Sequence, residues 1–288
     1  MFTHKDIFPT MTVPKPVKRM IQTILRLKKK NKKGAIPLSL IIPALNEEDY
    51  IGLLLSSLTE QTYTNFEVIV VDGRSIDHTI NVVSSFQEKL PKLTTLIADK
   101  RNPGYQRNIG ARQSIHPLIV FLDADVIAPP QFLEEVVSRM QKRGADIATC
   151  WCIPAETGQK DKVFLFLHNI GIGFSKYIWP IGWGANMVIK RDLFERLDGF
   201  DERIAVGEDQ DLYQRAVKKG AHYHIFMNPQ VQLSMRRLRR DGYMKYGLKL
   251  LKSFYYVVFV GIIKDVKTVG WDMGGKVGEE ESAQKTLD

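Results

Sequence analysis

Apolar and polar positions alternate along the chain in two rhythms. Continuous apolar runs mark buried strands at LSLIIP (38–43), FEVIVVD (66–72), LTTLIAD (93–99) and PLIVFLD (117–123). Between them, EDYIGLLLSSLTEQ (48–61), INVVSSFQEKL (80–90) and PGYQRNIGARQSI (103–115) repeat their apolar positions at helical spacing. Strands alternating with helices predict right-handed crossovers and a mostly parallel sheet covered on both faces. The second half is less regular. ADIATCWCI (145–153) predicts a strand and KVFLFLHNIGIGF a helix, while GANMVIKRDLFERLDGFDE (184–202) predicts a strand, a short helix and a turn. GEDQDLYQRAVKKG (207–220) predicts an acidic loop entering a helix, and HYHIFMNPQVQL a pair of strands.

The pattern divides the chain into a basic amphipathic or disordered segment (1–34), one α/β domain (35–240), and an amphipathic C-terminal region with a polar tail (241–288). Charge sharpens that division. The net charge is +9, yet nine basic residues and no acidic one fall between Ile7 and Asn46, and the rest of the chain is formally neutral. A basic surface suited to nucleic acid is therefore not expected on the domain. The longest apolar run, Phe254 to Ile263, is about half the length of a membrane-spanning helix. No apolar signal core follows the first residues, which predicts a cytoplasmic protein. The two cysteines, Cys150 and Cys152, predict buried free thiols on one strand face.

In an open parallel sheet, ligands bind beyond the carboxyl ends of the strands. The segments there carry Asn46 and Glu47, then Asp72 and Asp77, then Arg101, Gly104 and Arg107, then Asp123 and Asp125. Carboxylates closing apolar strands are costly without a compensating charge. An acidic and basic set at one edge suits a metal-bound, multiply anionic ligand, because a hard divalent cation uses one or two carboxylates plus substrate phosphates. No GxxxxGK[ST] loop is present, nor GxGxxG after the first strand, which argues against an NTPase and a nicotinamide dehydrogenase.

The ordered set PALNEEDYIGLLLSSL, VIVVDGRSIDHT, NPGYQRNIGARQS, VFLDAD, GANMVIKRDLFERLDGFDE and GEDQDLYQRA resembles the family 2 glycosyltransferases of the GT-A fold, from about residue 38 to 240. The resemblance implies inverting transfer of a sugar from a nucleotide diphosphate sugar, with UDP-sugars favoured because the family uses them most often. It implies that Pro43, Asn46 and Glu47 line the nucleotide pocket and that Asp72 hydrogen-bonds the base. Arg107 would meet the nucleotide or diphosphate, Asp123 would lie near the ribose and metal, and Asp125 would ligate Mg²⁺ or Mn²⁺. Asp209, in the pair with Glu208, matches the catalytic base.

Two departures stand out. Gly73 follows Asp72 where many members have a second aspartate. No histidine occurs in VQLSMRR, where many carry one for the metal; His222 and His224 come earlier, in a predicted strand. Arg236 or Arg237 could meet the diphosphate instead, or form a solvated or membrane-facing patch. Trp183 between two glycines is a candidate platform for an acceptor sugar or lipid, with core packing the alternative. The expected acceptor is a glycan or lipid-linked molecule of the cell envelope. Enzymes joining sugars to polyprenyl phosphate and non-catalytic nucleotide-sugar binding are the competing functions. The basic segment and the 254–263 run predict peripheral contact with an anionic membrane at its inner face, against a solvated tail and a core-packed run.

Overall fold

The computed structural model describes residues 36–271 apart from Pro91 and Tyr177. The basic N-terminal segment and the polar tail after Trp271, on which the sequence expectations partly rest, lie outside the described residues.

Eight strands form one sheet: β1 (Leu38–Ala44), β2 (Phe66–Asp72), β3 (Leu93–Ile97), β4 (Leu118–Leu122), β5 (Val126–Ile127), β6 (Ile147–Pro154), β7 (Asn186–Lys190) and β8 (Tyr223–Leu233). Their order is β3-β2-β1-β4-β7-β6-β8-β5. The first four are parallel, and β6 runs parallel to β8. β7 enters antiparallel between β4 and β6, and β5 is antiparallel to β8. The sheet is thus mostly parallel, as the alternating pattern predicts, and mixed through β7 and β5, which that pattern does not predict. β1 is buried on both faces, which is why it reads as an unbroken apolar run. Its one polar interior residue, Ser39, donates to Glu67 at 2.5 Å.

Three helices cross between the parallel strands: α1 (Ile51–Thr59), α2 (Thr79–Ser84) and α3 (Pro103–Gln113). α3 has the strongest start signal. The Asn102 side chain accepts from the Tyr105 N–H at 2.8 Å, and Pro103 fills the first helical position. Gly110 lets α3 settle on β1, since a Cβ there would lie 2.4 Å from Ile41 Cγ2. α2 is shorter than expected. After Ser84 the chain continues to Leu90 in successive tight turns, in keeping with the weak helix propensity of its β-branched and serine residues.

α4 (Phe132–Arg143) is an element not anticipated from the sequence. Its signals are present: apolar Phe132, Leu133, Val136, Val137 and Met140 on one face, and Gly144 ending it at φ 59°. The second correction concerns the expected strand pair after His222, which is the single strand β8. Asn228-Pro229 breaks the alternation because proline donates no ladder bond. The register along β6 jumps from Cys150↔Phe226 to Cys152↔Val231, so a bulge absorbs the proline while both halves pair with the same neighbour.

The remaining helices are α5 (Gln159–Ser175), α6 (Arg191–Arg196), α7 (Glu208–Lys218), α8 (Arg236–Asp241) and α9 (Tyr243–Tyr255). Phe121, Phe194 and Phe200 pack β4 against α6 and the turn after it, with ring centroids 5.1–5.7 Å apart. The 254–263 run ends α9 and continues through a wide helical turn (Tyr256–Val260). Phe254, Tyr255, Val260 and Ile262 are exposed, while Ile263 is buried and pairs with Val206.

Gly110→Ala is expected to lower the urea midpoint, with a loss of about 1–3 kcal/mol for overpacking against Ile41. Alanine's helix propensity offsets only about 1 kcal/mol of that. An unchanged midpoint would mean that α3 is free to shift off β1.

Candidate active site

A cleft of about 330 Å³ opens beyond the carboxyl ends of β1 and β4. Pro43 and Glu47 reach it from β1, Asp123 and Asp125 from β4, and Glu208 and Asp209 from the first turn of α7. Arg107 on α3, Arg237 on α8 and Trp183 before β7 add to its lining, with Arg101, Gln106, His168 and Ser234. Phe164, Leu165, Leu238, Tyr246 and Trp271 form an apolar wall. The region after residue 240 therefore contributes side chains to the cleft.

Arg107 is the centre of the polar set. Its guanidinium donates to Glu208 Oε1 at 2.6 Å and to Asp123 Oδ1 at 2.7 Å. Burial disfavours the charge, but Asp123 and Glu208 outweigh it and hold the guanidinium above its ordinary pKa. Its partners fix Arg107 as a bridge between the end of β4 and the start of α7. Loss of water around Asp123, reinforced by neighbouring Asp125, raises its carboxyl pKa against the pull of Arg107.

Glu208 and Asp209 divide sharply. Glu208 is committed to Arg107. Asp209 accepts from the backbone N–H of Gln210 and forms no ion pair among the described residues. Burial and the adjacent Glu208 push its carboxyl up to about 7. Gly184 makes room for it, since a Cβ there would lie 2.6 Å from Asp209 Oδ2. Gly207, at φ 89°, turns the chain into α7 just before the pair.

The two arginines of α8 separate in the same way. Arg236 donates to Glu47 Oε1 at 2.5 Å, lies 3.1 Å from Asp125 Oδ2 and covers the Tyr50 ring at 4.3 Å. It clamps the two carboxylates and does not line the cleft. Burial pushes Glu47 up to about 7 even with Arg236 beside it. Arg237 lines the cleft and has no hydrogen-bond or ion-pair partner among the described residues.

Asp72 and Asn46 are placed differently from the rest. Asp72 is buried and accepts from the Ser75 N–H at 2.8 Å and the Ser75 hydroxyl at 2.5 Å. Asn46, at φ 52°, accepts from the Ile76 N–H, and its own N–H donates to Ser75. Neither lines the cleft; together they tie the turn after β1 to the turn after β2. Gln106 strengthens that tie by donating to Ala44 and Val71 carbonyls. It also accounts for Gly73, where a Cβ would lie 3.1 Å from the Gln106 amide nitrogen.

Trp183 is half-buried and fixed. Its indole N–H donates to Asn169 at 2.8 Å, and its ring lies 4.5 Å from that of His168. Burial holds His168 down to about 4, so the imidazole is neutral. His168, Gln106, Gly184 and the C-terminal Trp271 were not anticipated at the cleft. The sequence signals only Gly184, through its place beside Trp183. Cys150 and Cys152 are buried, free and pushed well above their usual range by burial, as expected for inert thiols.

Asp123 and Asp125 fit a divalent cation of the open kind. Two carboxylates reach one cleft, and burial with the neighbouring Asp125 raises the pKa of Asp123. Diphosphate and water oxygens would complete such a site. His222 and His224 do not line the cleft: His224 is in β8 and His222 immediately precedes that strand.

The family profile described as "Glycosyl transferase family 2" matches residues 39–198. The chain belongs to glycosyltransferase family 2. Among relatives, glycosyltransferase AglE of Haloferax volcanii is 37% identical over 188 residues, covering 63% of this chain and 62% of that protein. Poly(ribitol-phosphate) beta-N-acetylglucosaminyltransferase TarS of Staphylococcus aureus is 33% identical over 112 residues, 38% of this chain and 20% of its own length. The chain thus spans less than two thirds of either relative. Among solved structures, the mannosyltransferase PcManGT of Pyrobaculum calidifontis, in complex with GDP-Man and Mn²⁺, superposes with TM-score 0.62. It is 23% identical and covers 84% of this chain and 72% of its own. TarS residues 1–349 with UDP-GlcNAc give TM-score 0.55 at 20% identity, covering 69% of this chain and 58% of theirs. The family 2 fold here is GT-A.

Arg107→Met is expected to destabilise this family 2 domain by about 3 kcal/mol, the lower end for breaking a buried ion pair because Asp123 keeps some solvent. Without the arginine, Asp123 gains a further rise in folded-state pKa. Its penalty is then small below the unfolded carboxylate pKa, grows between that and the folded one, and is full above it. Urea unfolding at pH 5 and pH 8 should show the larger loss at pH 8. Equal losses would mean that the bridge is not the source.

Proposed function

We propose that this glycosyltransferase moves a sugar, with inversion, from a nucleotide diphosphate sugar to an acceptor in cell-envelope glycan or glycolipid synthesis. The names of its relatives and neighbours support the donor class: one solved neighbour holds GDP-Man and another UDP-GlcNAc. UDP-sugar remains the favoured donor. The catalytic region is assigned to residues 35–240, with 1–34 attached to it and the 241–288 region adding Tyr246 and Trp271 to the cleft wall.

The observation that carries the reading is the division between Glu208 and Asp209. Of two adjacent carboxylates at the cleft, one is neutralised by Arg107. The other forms no ion pair among the described residues, and burial with the adjacent Glu208 pushes its pKa up to about 7 against the pull of Arg107. That is where a general base operates best near neutral pH. In this role Asp209 takes the proton of the acceptor hydroxyl as its oxygen bonds to the anomeric carbon. The bond from that carbon to the diphosphate oxygen breaks on the opposite side, which inverts the configuration. Arg237 faces the cleft with its donors uncommitted and meets the charge developing on the diphosphate. Arg236 acts indirectly by holding Glu47 and Asp125. Mg²⁺ or Mn²⁺, held by Asp125 with Asp123, would supply Lewis-acid stabilisation of the leaving diphosphate. Asp72 keeps its assignment to the base only if Ser75 releases one of its oxygens.

The apolar wall from Phe164 to Trp271 favours an acceptor that carries a lipid, and Trp183 offers a fixed aromatic surface beside it. It also favours a second reading, transfer to a polyprenyl phosphate, which needs little base assistance.

Asp209→Asn is expected to leave donor binding nearly intact and to lower transfer to a hydroxyl acceptor by at least about 10²-fold. In the wild type, transfer should fall as pH drops through about 7, because protonated Asp209 accepts no proton. Near-normal turnover by the variant with a hydroxyl acceptor would remove Asp209 from the base role and make Glu208 the first candidate.

Asp125→Ala is expected to weaken nucleotide diphosphate binding in the presence of Mn²⁺ by at least about tenfold, through loss of a hard oxygen ligand. Calorimetric titration with and without the metal checks this. Wild-type affinity in the variant would remove Asp125 from the metal site.

A further inference from the structure

α5 and α9 each turn an apolar stripe outward. No residue of α9 is buried. At 100° per residue, Met244, Leu248, Leu251 and Tyr255 fall within a narrow arc of one face. Met244 is 82% exposed, Leu251 67% and Leu248 61%. Its polar residues are displaced from that arc: Lys245 and Lys252 flank it, while Lys249 turns inward to Asp241. On α5 the corresponding face carries Val163, Phe166, Leu167 and Phe174, all exposed. A soluble helix normally directs such a stripe at the core.

The two helices adjoin. Phe164 of α5 lies against Tyr243 and Tyr246 of α9 with centroids about 6 Å apart, and Tyr243 donates to Asp161 at 2.7 Å. Their inner residues, Leu165, His168 and Tyr246, line the catalytic cleft. The charge around the outer faces has one sign. Residues 159–176 and 236–255 contain two carboxylates, Asp161 and Asp241. Both are buried in ion pairs, with Arg239 at 2.7 Å and with Lys249 at 2.6 Å respectively. Lys160, Lys162, Lys245 and Lys252 remain exposed.

We propose that the outer faces of α5 and α9 form a docking surface for an anionic phospholipid bilayer, with the apolar stripes at the headgroup boundary and the lysines on anionic headgroups. Two copies of this chain meeting on the same face would set cation against cation, whereas an anionic bilayer complements both the apolar stripe and its rim. The surface is built from α5 and α9 and takes only Tyr255 from the 254–263 run. Its use rests on the transferase reading: docking there brings the cleft mouth to a membrane that holds a lipid-linked acceptor.

The test is flotation of the full-length chain with vesicles of phosphatidylcholine alone or with added phosphatidylglycerol. The wild type should float with the anionic vesicles and be released as salt rises. Leu248→Glu with Leu251→Glu, and separately Phe166→Glu with Leu167→Glu, should each cut the bound fraction at least about tenfold. Circular dichroism and melting temperature should not change, because these side chains are exposed. Lys245→Gln with Lys252→Gln should weaken binding and flatten its salt dependence. Failure of the wild type to float overturns the proposal. So does undiminished flotation of both apolar variants, as would follow if residues 1–34 carried all the binding. A dimer in sedimentation velocity that the same substitutions dissociate also overturns it, by making the face a contact between copies. Flotation needs neither donor nor acceptor, so its failure leaves the transfer reading intact, and loss of transfer chemistry would leave the docking surface intact.

Discussion

A carboxylate at the end of a buried strand needs a compensating charge, and in this domain Arg107 supplies it twice. One guanidinium joins Asp123, which closes β4, to Glu208, which opens α7. These residues are remote in sequence, and the arginine comes from a third element, α3. The position of α3 therefore sets the position of the whole polar cleft. Asn102 caps that helix, Gly110 lets it sit on β1, and Gln106 and Asn108 secure it to β1, β2 and the turn at Phe200. Moving α3 would leave two carboxylates uncompensated in a low-dielectric site, a cost that exceeds most packing changes.

The same constraint separates scaffold from chemistry. Charges bound in short ion pairs, such as Glu208, Arg107, Glu47 and Arg236, hold the walls of the cleft. Asp209 and Arg237, without an ion-pair partner among the described residues, keep capacity for a ligand, while Asp123 and Asp125 face the same cleft with Arg107 and Arg236 beside them. Neighbouring residues take opposite parts at both places. Glu208 and Asp209 are consecutive, as are Arg236 and Arg237, and in each pair successive helical positions send one side chain to an internal partner and the other to the cleft.

Much of the fold was legible because the burial of a strand is written in its own residues. The apolar runs that became β1, β2 and β4 need no knowledge of their neighbours, and the ordered motifs between them carried the family resemblance. The second half was less legible. β7 is inserted antiparallel between β4 and β6, a pairing that no local pattern encodes, and a bulge hides the continuity of β8. α4 was missed although its periodicity and terminating glycine were present.

The sequence by itself determined which residue types reach the strand ends, the place of the D-x-D and E-D pairs, and the concentration of charge in the N-terminal segment. Only the tertiary structure decided which of those groups are spent on one another. Asp72 and Asn46 read as cleft residues, yet their oxygens serve Ser75 and Ile76 in the turns that join β1 to β2. Gly73, His168 and Trp271 acquire meaning only through neighbours 33, 15 and 25 residues away, namely Gln106, Trp183 and Tyr246. The physical reason is that burial and periodicity are local properties of a segment, whereas the charge a carboxylate keeps depends on which cation the fold brings within hydrogen-bonding distance.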